Sequence, residues 1–134
     1  MSKLWLFFVL MCWSSWAVAQ TPESAQSVIR AQIQALADDD AEHAFSFAAD
    51  TIQAQFGDAQ RFVRMVRTQY PALYRPRQVL FSEPVVVTPE QMFQELALVD
   101  AQGQAWRAVY SLHTMAGAWR IDGVVLVRSR QQAI

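Results

Sequence analysis

Residues 91–128, "QMFQELALVDAQGQAWRAVYSLHTMAGAWRIDGVVLVR", decide the fold. Apolar and polar side chains alternate here with a period of two, the pattern of half-buried strands. The alternation predicts three strands, Met92–Asp100, Gln104–Thr114 and Ala118–Arg128. "DAQGQ" (100–104) reads as a type I turn closing on a left-handed Gly103, and Ala116-Gly117 as a two-residue hairpin turn. These turns set a trial register in which Leu98 lies beside Trp106, Glu95 beside Val109, His113 opposite Arg120 and Ser111 opposite Asp122. One face then carries Met92, Leu96, Leu98, Trp106, Ala108, Tyr110, Leu112, Trp119, Ile121, Val125 and Val127. The other carries Phe93, Glu95, Val99, Arg107, Val109, Ser111, His113, Arg120, Asp122, Val124 and Leu126. A side chain changes face with every one-residue slip, so two hairpins agreeing on one apolar face support the register.

Upstream, Val79–Val87 adds a fourth β-rich run with Pro84 inside it, which calls for an edge position or a bulge. Before Arg77 the period is helical. Thr21-Pro22-Glu23 is a helix start, with a capping hydroxyl, proline in the first turn and an acid near the positive end of the dipole. Ala25, Val28, Ile29, Ile33 and Leu36 form its apolar stripe, and "DDD" (38–40) turns the chain into a shorter helix bearing Ala44, Phe45 and Ala48. Asp58 caps a third helix with Ala59, Phe62, Val63, Val66 and Tyr70 inward, while Asp50–Phe56 is ambiguous. Helices followed by an antiparallel four-stranded meander make an α+β domain.

The N-terminus reads differently. Lys3, the apolar run "LWLFFVLMCWSSWAV" and the small-x-small triplet Ala17-Val18-Ala19 have the pattern of a secretory signal peptide. The expectation is therefore a signal peptide at 1–19, a single domain at 20–134, and a periplasmic or secreted location with no membrane span after cleavage. Cys12 is the only cysteine, so the exported domain has neither a disulfide nor a thiolate nucleophile. A formal net charge of −1 and the lack of a reading motif argue against a nucleic-acid partner.

"ALADDDAEHAFSFAADTIQAQFGDAQRFVRMVRTQYPALYRPRQVLF" (35–81) and "ELALVDAQGQAWRAVYSLHTMAGAWRIDGVVL" (95–126) resemble a bacterial family described as domain of unknown function 4864. The most specific pieces are "AFSFA", "FVRMVRTQYPALYRPR" and "WRIDGV". That family is similar to the cone-shaped folds named after nuclear transport factor 2, in which helices cover a curved antiparallel sheet. The superfamily includes ketosteroid isomerase, scytalone dehydratase, polyketide cyclases and many non-catalytic members. The resemblance implies the fold but no activity, since one fold hosts many functions. Isomerase-like members place an acidic base opposite a tyrosine and an acid inside the cone. Here only Tyr110 has comparable chemistry on the expected inner face, and Glu95 and Asp122 fall on the other.

Four groups of residues invite a functional reading. Ser111, His113, Arg120 and Asp122 could place a histidine base beside a carboxylate. Cross-strand charge pairs near a hairpin tip are also ordinary sheet decoration, and that reading is preferred. Arg61, Arg64, Arg67, Arg75 and Arg77 could bind an anion or an acidic partner through guanidinium forks. The alternative for them is a solvated face paired with the acids at 38–42. Asp38, Asp39, Asp40, Glu42 and His43 have the chemistry to hold a cation, yet lack the spacing of an ion loop, and a turn plus a helix cap explains them. Trp106 and Tyr110 would line an apolar pocket, if the cone is open.

The resulting expectation is an exported, non-catalytic binding or interaction domain that self-associates through its mixed outer sheet face as a homodimer. No catalytic residue, cofactor or metal is assigned. One alternative is a binder of a small apolar ligand in the cone interior. The other is a small-molecule isomerase or hydro-lyase of the cone-fold type.

Overall fold

The computed structural model describes residues 20–129. The expected signal peptide, residues 1–19, lies outside them. The helical half comprises α1 (Pro22–Ala37), α2 (Ala41–Ser46), α3 (Asp50–Phe56), α4 (Ala59–Gln69) and a 3₁₀ turn at Pro71–Leu73. Five strands follow: β1 (Gln78–Phe81), β2 (Val85–Thr88), β3 (Gln91–Val99), β4 (Ala105–Met115) and β5 (Ala118–Arg128). The ambiguous stretch at 50–56 is thus a helix.

Local chemistry fixes the helix ends. Thr21 and Ser24 form a reciprocal box, with Ser24 N–H donating to Thr21 Oγ1 at 3.2 Å and Thr21 N–H to Ser24 Oγ at 2.9 Å. Asp40 accepts the His43 N–H at the start of α2, and Asp58 accepts the Arg61 N–H at the start of α4. The indole of Trp119 donates to the Thr21 carbonyl at 3.1 Å, tying the beginning of α1 to the tip of the β4–β5 hairpin.

The sheet is antiparallel, in the order β1-β3-β4-β5, with β2 beside β1 along the same edge of β3. Four strands were expected and five are present, because Ser82–Pro84 interrupts the run at Val79–Val87. Proline cannot donate to the ladder, and the gap is bridged by a side chain instead. Gln94 is fully buried; its Nε2 donates to the carbonyls of Ser82 (2.7 Å) and Glu95 (2.8 Å), and its Oε1 accepts from Gln26 on α1 (3.0 Å).

Both hairpin turns have the expected geometry. Ala116 and Gly117 have φ of +50° and +77°, the left-handed pair that a tight hairpin needs. Gly103, at φ +83°, closes the other turn on the Asp100 carbonyl at 3.0 Å. Leu98–Trp106, Glu95–Val109 and His113–Arg120 pair as the sequence predicts.

One pair does not. Leu112 opposes Ile121, but Ser111 opposes Gly123, so Asp122 is an extra residue in β5. This bulge reverses the faces of everything after it. Val124 and Leu126 pack toward the helices, whereas Val125 and Val127 are 61% and 53% exposed. The expectation that Val125 and Val127 face inward is therefore corrected.

The core lies between the helices and the inner sheet face. Ala25, Ile29 and Leu36 of α1 and Phe62, Val63 and Val66 of α4 meet Met92, Leu96, Leu98, Ala108, Tyr110, Leu112, Trp119 and Ile121. Burying a leucine- or isoleucine-sized side chain contributes about 1.5–3 kcal/mol, so this layer is the main source of stability.

Candidate functional site

The helical layer does not cover β5 evenly. The link between α2 and α3 is laced to the strand: Ile121 N–H donates to the Phe47 carbonyl at 2.9 Å, and Ala49 N–H donates to the Ile121 carbonyl at 2.8 Å. Beyond this strap, α3 rests on α4, where Phe56 and Phe45 flank Phe62 with ring centroids 5.9 and 5.4 Å away. None of the α3 residues is fully buried. Between α3–α4 and the bulged part of β5 a cavity of about 390 Å³ remains.

On the helical side its wall carries the apolar side chains of Leu36, Ile52, Phe56, Phe62, Met65 and Val66, interleaved with glutamines. Ile121–Val124 of β5 close the other side. The polar groups are the carboxamides of Gln32, Gln55 and Gln69, the Tyr70 hydroxyl and Asp122; no lysine, arginine or histidine contributes to the wall. Gln32 is buried and donates to the Ala44 carbonyl at 3.1 Å. A site of this kind suits a ligand with an apolar body and hydrogen-bonding groups, and with no cationic side chain to receive one it disfavours an anion. A more open cleft of about 380 Å³ continues past Gln69, Tyr70 and Val124 toward Pro71, Trp106 and Leu126.

The two residues singled out for a pocket separate. Trp106 lines the second cleft, and its indole donates to Asp100 Oδ2 at 2.9 Å. That bond, with the N–H groups of Gln104 and Gln102, holds the Asp100 carboxyl below its usual range. Tyr110 lines neither opening. It is fully buried in the core with no hydrogen-bond partner for its hydroxyl among protein groups, and burial pushes that hydroxyl far above its ordinary pKa.

The polar cluster is only partly assembled. His113 Nδ1 lies 2.6 Å from Asp122 Oδ2, without the alignment of a full hydrogen bond, and Asp122 Oδ1 has no partner in the protein. Asp122, the extra residue of the bulge, is part of the cavity wall, which corrects the expectation that it falls on the face away from the helices. Arg120 turns away to the Ser46 carbonyl and pins the end of α2. Ser111 stands opposite Gly123 instead of Asp122.

The arginines divide as well. Arg67 and Arg75 converge on Asp39, Arg75 Nη2 at 2.9 Å from Oδ2, while the Tyr74 hydroxyl donates to Oδ1 at 2.6 Å. Both guanidiniums stack on the Tyr74 ring, 4.6 and 5.0 Å from its centroid. The Tyr74 hydrogen bond, then Arg75 and Arg67, hold the Asp39 carboxyl below its usual range. Arg61 sits 3.7 Å from Asp58. Arg64 has no ion pair among the described residues, and Arg77 binds through its backbone N–H to the Val99 carbonyl. Two of the five are thus occupied in clamping the α1–α2 turn. Among the described residues no three histidine, cysteine or acidic side chains gather in a metal-binding group.

Sequence reasoning missed α3, Gln55 and Gln69 as wall residues. The signal for the bulge was present as Asp122-Gly123, a glycine inside a strand pattern.

Comparison with known proteins agrees with this architecture. The family model described as "Domain of unknown function (DUF4864)" matches residues 18–134. Among solved structures, the chain is similar to Bd1075 of Bdellovibrio bacteriovorus (TM-score 0.55, 12% identity), covering 82% of this chain and 41% of that one. The chain therefore spans about two fifths of the length of that protein. It is also similar to an NTF-2-like protein of unknown function from Burkholderia xenovorans (TM-score 0.52, 12% identity, 83% of this chain and 88% of that one). A third is Aln2 from a Streptomyces species (TM-score 0.50, 12% identity, 83% and 94%). No curated protein matches significantly. The chain belongs to the DUF4864 family and has the fold of the NTF2-like superfamily.

Proposed function

We propose that this protein is an exported, non-catalytic binding domain that holds a small, uncharged, mainly apolar molecule between α3–α4 and β5. The observation that carries the reading is the cavity of about 390 Å³, lined mostly by apolar residues and without a cationic side chain in its wall. Its size lies in the range of small-molecule sites, roughly 300–1,000 Å³. Export is supported by the leader-like residues 1–19. An intact mass beginning at Gln20 in native material checks that part; a mass retaining residues 1–19 contradicts it.

A neutral fluorescent probe, N-phenyl-1-naphthylamine, tests the binding. At about 0.3–0.4 kcal/mol for each of its roughly 17 non-hydrogen atoms, its Kd should be on the order of 10–200 µM. Ile52→Trp fills the wall and should abolish the fluorescence gain. No binding by the parent, or undiminished binding by the variant, refutes the reading.

A second reading, self-association through the sheet, is favoured by the exposed outer-face side chains Leu80 and Phe93 together with Val125 and Val127. Light scattering that shows a monomer at tens of micromolar removes it.

A further inference from the structure

The sheet has two edges, and they are treated differently. The β1–β2 edge is broken at Ser82–Pro84 and followed by Pro89, devices that discourage pairing with another chain. The β5 edge carries neither. The strap at Phe47–Ala49 covers it only at Ile121, and from Gly123 to Arg128 no backbone partner lies on its outer side among the described residues. This open stretch, "GVVLVR", is apolar in both directions through Val124–Val127.

The hydrogen-bond phase identifies the groups left over. Ser129 N–H bonds to the Ala105 carbonyl at 2.9 Å, so the amides of Val127, Val125 and Gly123 also turn toward β4. Those of Val124, Leu126 and Arg128 point outward along the edge. The bulge at Asp122 sets this phase, because Ile121, before it, points its own N–H and C=O outward to the strap.

We infer that the Gly123–Arg128 edge of β5 pairs antiparallel with the same edge of a second copy, joining two sheets about a twofold axis at Val125. This rests on the self-association reading above and moves the contact from the sheet face to its edge. About this axis Val124 is opposite the partner's Leu126, and both present outward amides, so the ladder phases match in both directions. Asp122 is opposite the partner's Arg128, twice by symmetry. Within one chain Asp122 faces His113, and Arg128 lies over the Trp106 ring and donates to Gln104 Oε1, so both side chains turn from these contacts to each other on pairing. Centring on Val124 or Leu126 also matches the amide phase, but leaves Asp122 opposite the partner's Leu126 or Arg128 opposite the partner's Val124. Charge complementarity therefore selects Val125. The pairing also brings Val125 beside its own symmetry mate, covering one flank of a side chain that is 61% exposed.

Sedimentation velocity across a concentration series of the purified protein, with hydrogen exchange of the edge amides, tests the inference. A dimer is expected, with the Val124, Leu126 and Arg128 amides protected. Arg128→Asp, which sets acid against acid, should weaken it at least tenfold. An equimolar mixture of Arg128→Asp and Asp122→Arg chains should pair with each other, because both contacts then match in sign. If Asp122→Arg does not fold, the Arg128→Asp response and the amide protection still decide. A monomer at all concentrations overturns both this inference and the self-association reading. A dimer that ignores Arg128→Asp, leaves the edge amides unprotected and is broken by Phe93→Lys overturns the edge contact alone.

Discussion

Gln94 stands where the edge strand breaks, and replacing it with methionine measures what that arrangement contributes. Methionine keeps the length of the side chain and removes its hydrogen bonds. Three are at stake: Nε2 to the Ser82 and Glu95 carbonyls and Oε1 from Gln26. The Glu95 carbonyl also accepts the Ser82 N–H at 3.0 Å, so it keeps a partner in the variant. The other two bonds are lost outright at about 1 kcal/mol each, and the orphaned Ser82 carbonyl adds a desolvation cost of about 1 kcal/mol. Burying a thioether in place of a carboxamide offsets about 1 kcal/mol of this. The net loss is about 2 kcal/mol, or a fall in Tm of roughly 8 °C for a domain of this size. Urea denaturation followed by circular dichroism should show a lower midpoint with an unchanged slope. A double-mutant cycle with Gln26→Met should give a coupling of about 0.5–1 kcal/mol between two residues in direct contact. A midpoint equal to or above that of the parent refutes the reasoning, since the carboxamide would then not be bridging the broken edge.

Three further outcomes follow from single residues. Tyr110→Phe removes a buried hydroxyl without a protein partner, so stability should rise by about 1 kcal/mol in urea denaturation; a loss of that size means the hydroxyl is hydrogen-bonded. Ala116→Asn places the residue preferred at φ +50° before Gly117 and should stabilise the hairpin by about 0.5–1 kcal/mol; unchanged thermal melting counts against the turn geometry. Asp39 is held below its unfolded pKa, so its contribution is present above about pH 4 and is lost as pH falls through the folded value. Asp39→Asn should therefore lower Tm near neutrality and converge with the parent in acid, whereas a constant offset at every pH contradicts the clamp.

Much of the architecture was legible because strand alternation and turn chemistry reinforced each other. Gly103 and Ala116-Gly117 located both turns; the β3–β4 register followed from the first, and the β4–β5 register as far as the bulge from the second. Alternation failed where it carries no information: "VVLV" (124–127) is apolar at every position, so nothing in it marks which side faces the helices. The single extra residue at Asp122 decided that, and only the Asp-Gly pair hinted at it. Pro84 likewise announced an edge irregularity, but not that Gln94 would span it.

The site was less legible, for a different reason. Helical periodicity tells which positions of α1 and α4 turn inward, not whether the sheet behind them is reached. The cavity arises because α3 leans on α4 and the Phe47–Ala49 strap holds the chain at Ile121, contacts between distant parts of the sequence. The pairing of Arg67 and Arg75 with Asp39 is long-range in the same way. A run of arginines read in isolation looks like an anion site, and folding supplies the acid.

The central claim, that the space between α3–α4 and β5 is a ligand site, is tested most directly by methyl NMR during titration with N-phenyl-1-naphthylamine. The account predicts shifts confined to methyl groups of the wall, at Leu36, Ile52, Val66, Leu73 and Val124. Unmoved wall methyls, or shifts at Leu80, Val85 and Val127 on the exposed side of the sheet, would contradict it.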